Sequence, residues 1–247
     1  MTDYRKYYRN QWLPGMSEEE TDQMKGLPLP PMQKPYPADA ELVDLVAAED
    51  LAIGQVPLID AIENRRSRRK YTDESLSLEE LSFLLWCTQG VQKLVRNGLL
   101  TLRTVPSGGG MHPFETYLVV NRVTGVEPGL YRYLALEHKL YPVDLREGNW
   151  EERIGEASNG QTFVGKGAVA FVWSVRPYRT EWRYGDDSLK DVLISVGHIC
   201  QNLYLACEAI GAGTCAIVAY QQDELDDLIG VDGHDEIALY LAPVGKV

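Results

Sequence analysis

The spacing of apolar and polar positions predicts that the chain mixes helices with strands. The clearest amphipathic stretch covers residues 190–210, where apolar side chains recur every three or four positions and therefore share one face of an α-helix. Cys200 and Cys207 widen that apolar stripe, so the helix should be covered on most sides. Gly211 and Gly213 follow it and predict its end, because glycine adopts the left-handed cap conformation at little cost.

Three shorter helices are predicted from local signals. Residues 57–64 have the apolar spacing of a short helix, and residues 223–228 predict a short helix on the surface. Ser77 and Glu80 have the spacing of a capping box, in which each side chain accepts a hydrogen bond from the backbone N–H of the other residue. This pair predicts the start of a helix over residues 78–88.

Five segments have the length and composition of β-strands. The apolar run at residues 168–175 is unbroken, which is typical of a strand buried on both faces. The segments at 129–134 and 139–143 are close enough along the chain to form a hairpin. Because helices separate several strands, we predict an α+β fold with an antiparallel or mixed sheet. The predicted strands are residues 116–120, 129–134, 139–143, 168–175 and 237–244.

Charge and composition narrow the class of protein. The chain has 247 residues, of which 45% are hydrophobic and 24% charged, as is ordinary for a globular protein. A net charge of −12 disfavours nucleic acid and anionic membranes as partners, and no apolar run is long enough to predict a membrane span. The four cysteines have neither zinc-site nor disulfide spacing. We therefore predict no metal site and a reduced, cytoplasmic location.

The first 41 residues predict an irregular arm. Residues 1–12 contain no apolar secretory core. Five prolines lie between Leu27 and Pro37, and proline lacks the backbone N–H that regular structure needs. We expect an extended segment that lies over the core or over a partner subunit. A disordered tail is the alternative.

Five cations are concentrated in the six residues from Arg65 to Lys70. Like charges repel one another unless an anion is bound or the side chains extend into water. Arginine suits the first case, because its planar guanidinium binds phosphate through two hydrogen bonds, and Ser67 adds a hydroxyl. The cluster therefore indicates either a phosphate-binding site or a solvated basic turn.

Two segments rich in small residues can bring the backbone close to a flat ligand. Residues 106–113 contain three consecutive glycines and lead into a predicted strand, while residues 213–220 follow the long helix. Glycine permits positive φ angles and close approach of the backbone. A flexible turn and ordinary core packing are the alternatives. The chain has neither a phosphate loop nor a Rossmann dinucleotide fingerprint.

Taken together, these segments resemble the FMN-dependent nitroreductase superfamily. The Arg-Arg-Ser-Arg-Arg-Lys-Tyr stretch at 65–71, the Pro-Ser-Gly-Gly-Gly-Met-His-Pro loop at 106–113 and the Gly-Ala-Gly-Thr-Cys segment at 211–215 each resemble one of its motifs. The segments at 84–91 and 129–133 are similar to the azoline-oxidising dehydrogenase branch, which acts in the synthesis of thiazole/oxazole-modified peptides.

The resemblance implies an α+β, nitroreductase-like fold, in which helices flank a central and mostly antiparallel sheet. It implies an intertwined homodimer with two FMN sites at the subunit interface, and it places the helix at 190–210 in the dimer core. Residues 55–247 would form the FMN-binding domain, preceded by a proline-rich extension at residues 1–54.

Several residues match the family's contacts to the polar parts of FMN. Arg65, Arg66 and Ser67 match contacts to the phosphate and the ribityl chain. Arg69 matches a cation near flavin N1 and the C2 carbonyl, where positive charge stabilises the reduced anionic ring. Lys246 lies where a further phosphate cation is expected.

Backbone contacts along the flavin ring are implied for two segments. The glycine loop is expected to run along the ring and to reach the flavin of the other subunit. Val218 and Ala219 match backbone donors near N5 and O4. The loop residues that match the family are Pro106, Ser107, Gly108 and Gly110.

No catalytic residue is certain, because hydride transfer through flavin N5 needs no general base. His112 in the glycine loop and Tyr184, in a polar stretch after a buried strand, are candidates for contact with the substrate. The alternatives are a structural histidine and a solvated loop. His198, in the long helix, is expected to be buried and hydrogen-bonded.

Three functions are consistent with this pattern. The first is an FMN-dependent dehydrogenase that oxidises azoline-type rings in a small molecule or peptide and passes two electrons through flavin N5. The second is a reductase of nitro compounds or quinones that takes its electrons from NAD(P)H. The third is a non-catalytic module that binds flavin or another anion.

Overall fold

A seven-stranded antiparallel sheet forms the centre of the protein. The computed structural model describes residues 20–247, so the prediction for residues 1–12 lies outside the described residues. The strands of this sheet are β1 (Val43–Asp44), β4 (Phe114–Val120), β5 (Gly129–Leu134), β6 (Lys139–Asp144), β7 (Val169–Val175), β8 (Ala212–Thr214) and β9 (Ile237–Lys246). Their order across the sheet is β1-β6-β5-β4-β7-β9-β8.

Strand β7 is buried on both faces, which confirms the prediction from its unbroken apolar run. Phe171 and Trp173 pack into the core on one face, while Ala170 and Val172 pack into the core on the other. Successive side chains of a strand point to opposite faces. A strand with helices on both sides therefore buries every position, and its one polar residue, Ser174, donates to the carboxylate of Glu236 at 2.7 Å.

Two helices cover the first face of the sheet. Helix α2 (Leu78–Gln89) begins at the predicted capping box, and both reciprocal hydrogen bonds between Ser77 and Glu80 are present. Helix α6 (Ser188–Ala209) corresponds to the long predicted helix. Its buried residues Val192, Val196, Ile199, Cys200, Leu203, Ala206 and Cys207 include most of the predicted stripe.

Three helices lie on the second face. They are α3 (Trp150–Ala157), α4 (Thr162–Gly165) and α7 (Gln222–Ile229). Helix α7 contains the helix that was predicted over residues 223–228, and it buries Leu225 and Ile229 against the sheet. Helix α3 was not predicted, although Asn149 caps it by accepting a hydrogen bond from the N–H of Glu152 at 3.1 Å.

A separate hairpin was missed in the sequence. It consists of β2 (Val91–Val95) and β3 (Leu100–Arg103). Arg96, Asn97 and Gly98 form its turn with φ angles of 52°, 57° and 85°. Asn-Gly between apolar residues is a strong hairpin signal, so this element was predictable from its turn.

The polar stretch after β7 is a helix and not a solvated loop. It forms α5 (Tyr178–Tyr184), in which Arg179, Thr180 and Trp182 are buried. The buried guanidinium of Arg179 pairs with the buried carboxylate of Glu115 on β4. A charged pair that is buried across two elements has no apolar periodicity, which is why the sequence pattern did not reveal this helix.

The proline-rich arm lies on a polar patch of the sheet. The N–H of Lys34 donates to Glu115 at 2.7 Å, and its Nζ lies 2.8 Å from the carboxylate of Glu236. Arg132 donates to the carbonyl of Pro35 at 3.0 Å. The described part of the arm is therefore extended over the core, as expected, and the two residues of β1 extend the sheet.

One face of α6 remains uncovered in the single chain. Leu189, Leu193 and Ile194 are 43%, 51% and 50% exposed, and His198 on the same helix is exposed. The prediction of a buried His198 is therefore wrong for the single chain. Helix α1 (Leu58–Asn64) was predicted correctly and is also largely exposed. Within residues 20–247, no helix combines the length and apolarity needed to span a membrane.

Candidate flavin-phosphate site

The basic cluster, residues 65–70, directly follows α1 and lies beside β8. Ser67 forms a parallel bridge with Thr214, and the N–H of Arg68 donates to the carbonyl of Thr214 at 2.9 Å. A Cβ atom at Gly213 would lie 2.6 Å from the side chain of Arg68, so this crossing requires glycine. The structure thus brings together the predicted phosphate cluster and the predicted small-residue segment.

Tyr204 on α6 connects these two segments. Its hydroxyl accepts a hydrogen bond from the N–H of Ala216 at 2.8 Å and lies 3.1 Å from Oγ of Ser67. The guanidinium of Arg65 is 5.2 Å from the centre of the Tyr204 ring, which is within cation–π range. Sequence reasoning missed Tyr204. Its signal is a hydroxyl in a mostly apolar helix, followed four residues later by Glu208.

Glu208 neutralises one cation of the cluster and leaves others unpaired. Its carboxylate lies 3.6 Å from the guanidinium of Arg68 and accepts a hydrogen bond from the N–H of Arg66 at 3.3 Å. Within the described part of the chain, the guanidinium groups of Arg65, Arg66 and Arg69 have no carboxylate at ion-pair distance. Nη1 of Arg66 donates to the carbonyls of Glu63 and Arg65, at 2.9 and 2.8 Å, and the remaining donors of these groups can bind an anionic ligand.

Val218 and Ala219 follow a short bridge to the sheet. Ile217 exchanges two backbone hydrogen bonds with Leu241, at 2.7 and 3.2 Å. The carbonyl of Ala219 accepts a hydrogen bond from Gln161 at 2.8 Å. In the part of the chain that the structure describes, the N–H groups of Val218 and Ala219 have no acceptor. They are available to a ligand, as the family's donors near N5 and O4 would have to be.

Lys246 differs from the other predicted cations because its side chain is already paired. Its Nζ donates to Oε1 of Glu80 at 2.5 Å and to the carbonyl of Ile210 at 3.0 Å. Glu80 also belongs to the capping box of α2. Lys246 therefore joins β9 to both helices of the first face, and its contact with a phosphate remains a prediction.

The glycine loop, residues 106–113, packs against α5 and α6. A Cβ atom at Gly108 would lie 2.3 Å from Oδ2 of Asp191, in the first turn of α6. Gly109 has a φ of +58°, and a Cβ there would lie 2.5 Å from the hydroxyl of Tyr184. Both the space and the backbone conformation require glycine here. Tyr184 thus contacts the loop, and its contact with a substrate remains a prediction.

His112 has the properties of a structural histidine. It is 5% exposed, and its backbone N–H donates to Oγ of Ser107 at 3.1 Å. Burial, together with the nearby guanidinium of Arg103, lowers the pKa of His112 to about 3, so the ring is neutral near pH 7. Of the remaining loop residues, Pro106 is exposed and Gly110 has a φ of +70°.

The glycine loop and the basic cluster contact α6 at positions far apart. Asp191 lies against the loop, while Tyr204 and Glu208 contact the cluster. Thirteen residues separate Asp191 from Tyr204, which is roughly 20 Å along the helix axis at a rise of about 1.5 Å per residue. These two predicted parts of the site are therefore not brought together within one chain.

The cysteines lie in or near the core. Cys200, Cys207 and Cys215 are buried, and Cys87 is half-buried. Burial raises the pKa of Cys87 to about 11 and is the main reason that the pKa of Cys200 rises to about 12, so these thiols stay protonated near pH 7. Among the described residues, no group of three or more His, Cys, Asp or Glu side chains has the arrangement of a metal site.

Sequence similarity to known proteins covers most of the chain. Residues 62–246 match a family model described as "Nitroreductase family". The chain is 32% identical over 194 residues to "Putative nitroreductase MJ1384" of Methanocaldococcus jannaschii, a match that covers 78% of this chain and 93% of that protein. It is 27% identical over 141 residues to "Trifolitoxin-processing protein TfxB" of Rhizobium leguminosarum bv. trifolii, covering 56% of this chain and 38% of that protein.

The fold is also similar to that of a solved structure. A chain of the E. coli microcin synthetase McbBCD complex, solved with truncated pro-MccB17 bound, matches with a TM-score of 0.62 and 22% identity, over 78% of this chain and 74% of that chain. At this identity the match shows the fold alone. The match over residues 62–246 establishes that the chain belongs to the nitroreductase family.

Proposed function

We propose that this protein is an FMN-dependent oxidoreductase whose flavin phosphate binds at the basic cluster. The observation that carries the proposal is the pairing pattern of the cluster. Glu208 neutralises Arg68, whereas Arg65, Arg66 and Arg69 are left without carboxylate partners among the described residues. These residues supply three positive charges close together in the chain of an acidic protein, and a bound anion would relieve their mutual repulsion.

The donor set fits FMN at both of its ends. Arg65, Arg66 and Ser67 supply donors for the phosphate and the ribityl chain, and Arg69 supplies a cation for the N1 edge. The free N–H groups of Val218 and Ala219 supply donors for the N5 edge. When bound, FMN supplies two-electron chemistry. The side chains and backbone groups of this chain would hold the flavin in place and stabilise negative charge on its ring.

The substrate that we propose is an azoline-type ring in a peptide or a related small molecule. TfxB is named as a trifolitoxin-processing protein, and the synthetase structure contains truncated pro-MccB17. Both similarities support a peptide substrate. Oxidation of the azoline to the azole would remove two electrons and two protons, as a hydride and a proton, and oxygen or another two-electron acceptor would complete the cycle.

A second candidate is an NAD(P)H-dependent reductase of nitro compounds or quinones. The similarity to "Putative nitroreductase MJ1384" favours it, because that match covers nearly the whole of the relative. The two candidates use the same flavin site and differ in which molecule donates the electrons.

FMN binding tests the site itself. Purified protein titrated with FMN should quench the flavin fluorescence. An Arg65→Ala/Arg66→Ala variant should bind FMN at least ~100-fold more weakly, because each of the two charge-assisted hydrogen bonds contributes about 1.5–3 kcal/mol. The control is Arg96→Ala/Arg146→Ala, which removes the same charge away from the cluster. Equal affinity in both variants would contradict the assignment.

Anaerobic reduction of the bound flavin separates the candidate functions. Bleaching by NADH or NADPH supports the reductase. Bleaching by an azoline-containing peptide, with no response to nicotinamide, supports the dehydrogenase. A protein that binds FMN and is reduced by neither would be the non-catalytic flavin-binding module.

We also propose that the protein is a homodimer, in which the glycine loop of one subunit completes the site of the other. The contact of Gly108 with α6 lies roughly 20 Å along the helix from Tyr204, which favours Ser107 and Gly108 reaching the flavin of a second copy over the flavin of their own subunit. The exposed apolar residues of α1 and α6 offer a surface for that copy. Residues 55–247 would form this domain and residues 1–54 its extension.

Size-exclusion chromatography with light scattering tests the dimer. Leu193 is 51% exposed on α6, so Leu193→Asp should produce monomers and weaken FMN binding together. Leu145→Asp is the control, because Leu145 is 42% exposed outside α1 and α6. A monomeric Leu193→Asp variant that binds FMN with wild-type affinity would contradict the shared site.

A further inference from the structure

Tyr204 contacts three parts of the phosphate site at once. Its ring lies beneath the guanidinium of Arg65, 5.2 Å from ring centre to Cζ. Its hydroxyl accepts the N–H of Ala216 at 2.8 Å and lies 3.1 Å from Oγ of Ser67. One phenol therefore connects the basic cluster, which precedes β4, with the segment that follows α6.

The geometry permits either hydroxyl to donate to the other, and counting donors favours Tyr204. The oxygen of Tyr204 is the acceptor for Ala216, and its single proton needs an acceptor of its own. Among the described residues that acceptor is Oγ of Ser67, since no other partner lies within hydrogen-bond distance of the phenol. With Oγ of Ser67 accepting, the proton of Ser67 is left free to donate outward.

The opposite assignment satisfies fewer groups. If Ser67 donated to Tyr204, the phenol proton would have to bond to water, whereas the first assignment pairs both hydroxyls within the protein. The assignment with Tyr204 as donor leaves the proton of Ser67 free within a cluster whose cations Arg65, Arg66 and Arg69 have no carboxylate partner among the described residues.

We propose that Tyr204 is a positioning residue that holds Ser67 as a hydrogen-bond donor to the terminal phosphate of the flavin. This inference rests on the proposed function. Tyr204 does not touch the phosphate in this scheme. It fixes the direction of the Ser67 proton and, through Ala216, fixes that hydroxyl relative to the segment carrying Val218 and Ala219.

The test compares FMN with riboflavin, which lacks the phosphate. Tyr204→Phe keeps the ring beneath Arg65 and removes only the hydroxyl. It should weaken FMN binding about tenfold, the effect of one hydrogen bond to a charged group, and leave riboflavin binding within about twofold. Ser67→Ala should behave in the same way. Tyr131→Phe is the control, because the Tyr131 hydroxyl donates to the carbonyl of Glu127 at 2.8 Å, away from the cluster.

A double variant tests whether the two hydroxyls act together. If Tyr204 acts through Ser67, then Ser67→Ala/Tyr204→Phe should bind FMN as weakly as Ser67→Ala alone, because the second change removes an interaction already lost. Multiplied losses in the double variant would overturn the proposal. An equal loss of riboflavin and FMN affinity in Tyr204→Phe would also overturn it, since that result indicates a general loss of shape.

The outcomes separate this inference from the proposed function. Wild-type protein that fails to bind FMN contradicts the flavin site altogether. Wild-type protein that binds FMN, together with a folded Tyr204→Phe variant that binds it equally well, leaves the flavin site intact and overturns the role of Tyr204. Circular dichroism and the urea midpoint show whether each variant is folded.

Discussion

Loss of the buried ion pair between Arg179 and Glu115 should destabilise the folded protein. The two side chains are 4% and 3% exposed, and the pair fixes the start of α5 to β4. In an Arg179→Met variant the Glu115 carboxylate would stay buried, with the N–H of Lys34 at 2.7 Å still donating to it. Removing one partner of a buried ion pair costs about 3–5 kcal/mol, because the other charge is left uncompensated.

Urea denaturation measures this cost. With an m value of about 3 kcal/mol per M, the expected loss lowers the urea midpoint by roughly 1 to 1.7 M. The matched control is Arg146→Met. Arg146 pairs with Asp144, but 82% of its side chain is exposed, and exposed pairs contribute little to stability. The control should therefore shift the midpoint far less.

Two results would refute this reasoning. One is a shift for Arg179→Met as small as that for Arg146→Met. The other is strict additivity in the double variant Glu115→Gln/Arg179→Met. Removing both charges eliminates the uncompensated one, so the double variant should lose less stability than the two single variants summed.

Three further predictions concern a helix cap, a backbone crossing and a buried ring. Ser77→Ala removes the capping box of α2 and should lower the free energy of unfolding by about 1 kcal/mol, measured by urea denaturation. Gly213→Ala introduces a Cβ atom 2.6 Å from the side chain of Arg68 and should weaken FMN binding at least ~10-fold. The control Gly148→Ala places its Cβ atom with nothing within 4 Å and should leave FMN affinity unchanged. Equal affinities of the two variants in a fluorescence titration would contradict this prediction. Burial, and secondarily Arg103, lowers the pKa of His112 from 6.5 to about 3. The unfolded state therefore binds a proton more readily than the folded state does. The free energy of unfolding should fall as the pH decreases from 6.5 toward 3. His112→Asn should make this fall smaller, and urea midpoints at about pH 7 and about pH 5 test it.

The sequence predicts elements whose signals are local. The capping box at Ser77 and Glu80 locates the start of α2, because a cap involves residues only three positions apart. The unbroken apolar run identifies β7 as a strand buried on both faces. The stripe of α6 is equally clear, since seven of its apolar and cysteine side chains face the core.

Elements that depend on distant partners are not predicted. Strand β8 contains Gly213, one of the two glycines that were predicted to end α6, and it is a strand because Ala212, Gly213 and Thr214 pair with β9. Helix α5 is held by the pair between Arg179 and Glu115, which are 64 residues apart in the chain. A sequence pattern records the spacing of neighbours and carries no signal for such contacts.

The same division applies to the candidate site. The sequence by itself determined that cations are concentrated at residues 65–70 and that small residues occur at 106–113 and 213–220. Only the tertiary structure decided which cations are paired. Glu208 neutralises Arg68 across 140 residues, and this pairing was not visible in the order of residues.

The tertiary structure also decided which segments meet. The basic cluster and the segment at 213–220 are adjacent because Ser67 forms a backbone bridge with Thr214. The hydroxyl of Tyr204 also lies within hydrogen-bond distance of both Ser67 and Ala216. The glycine loop is separated from them by much of the length of α6. Composition and motif order fix which groups the chain carries. The packing of a rigid helix against two distant loops fixes which of those groups can act on one ligand.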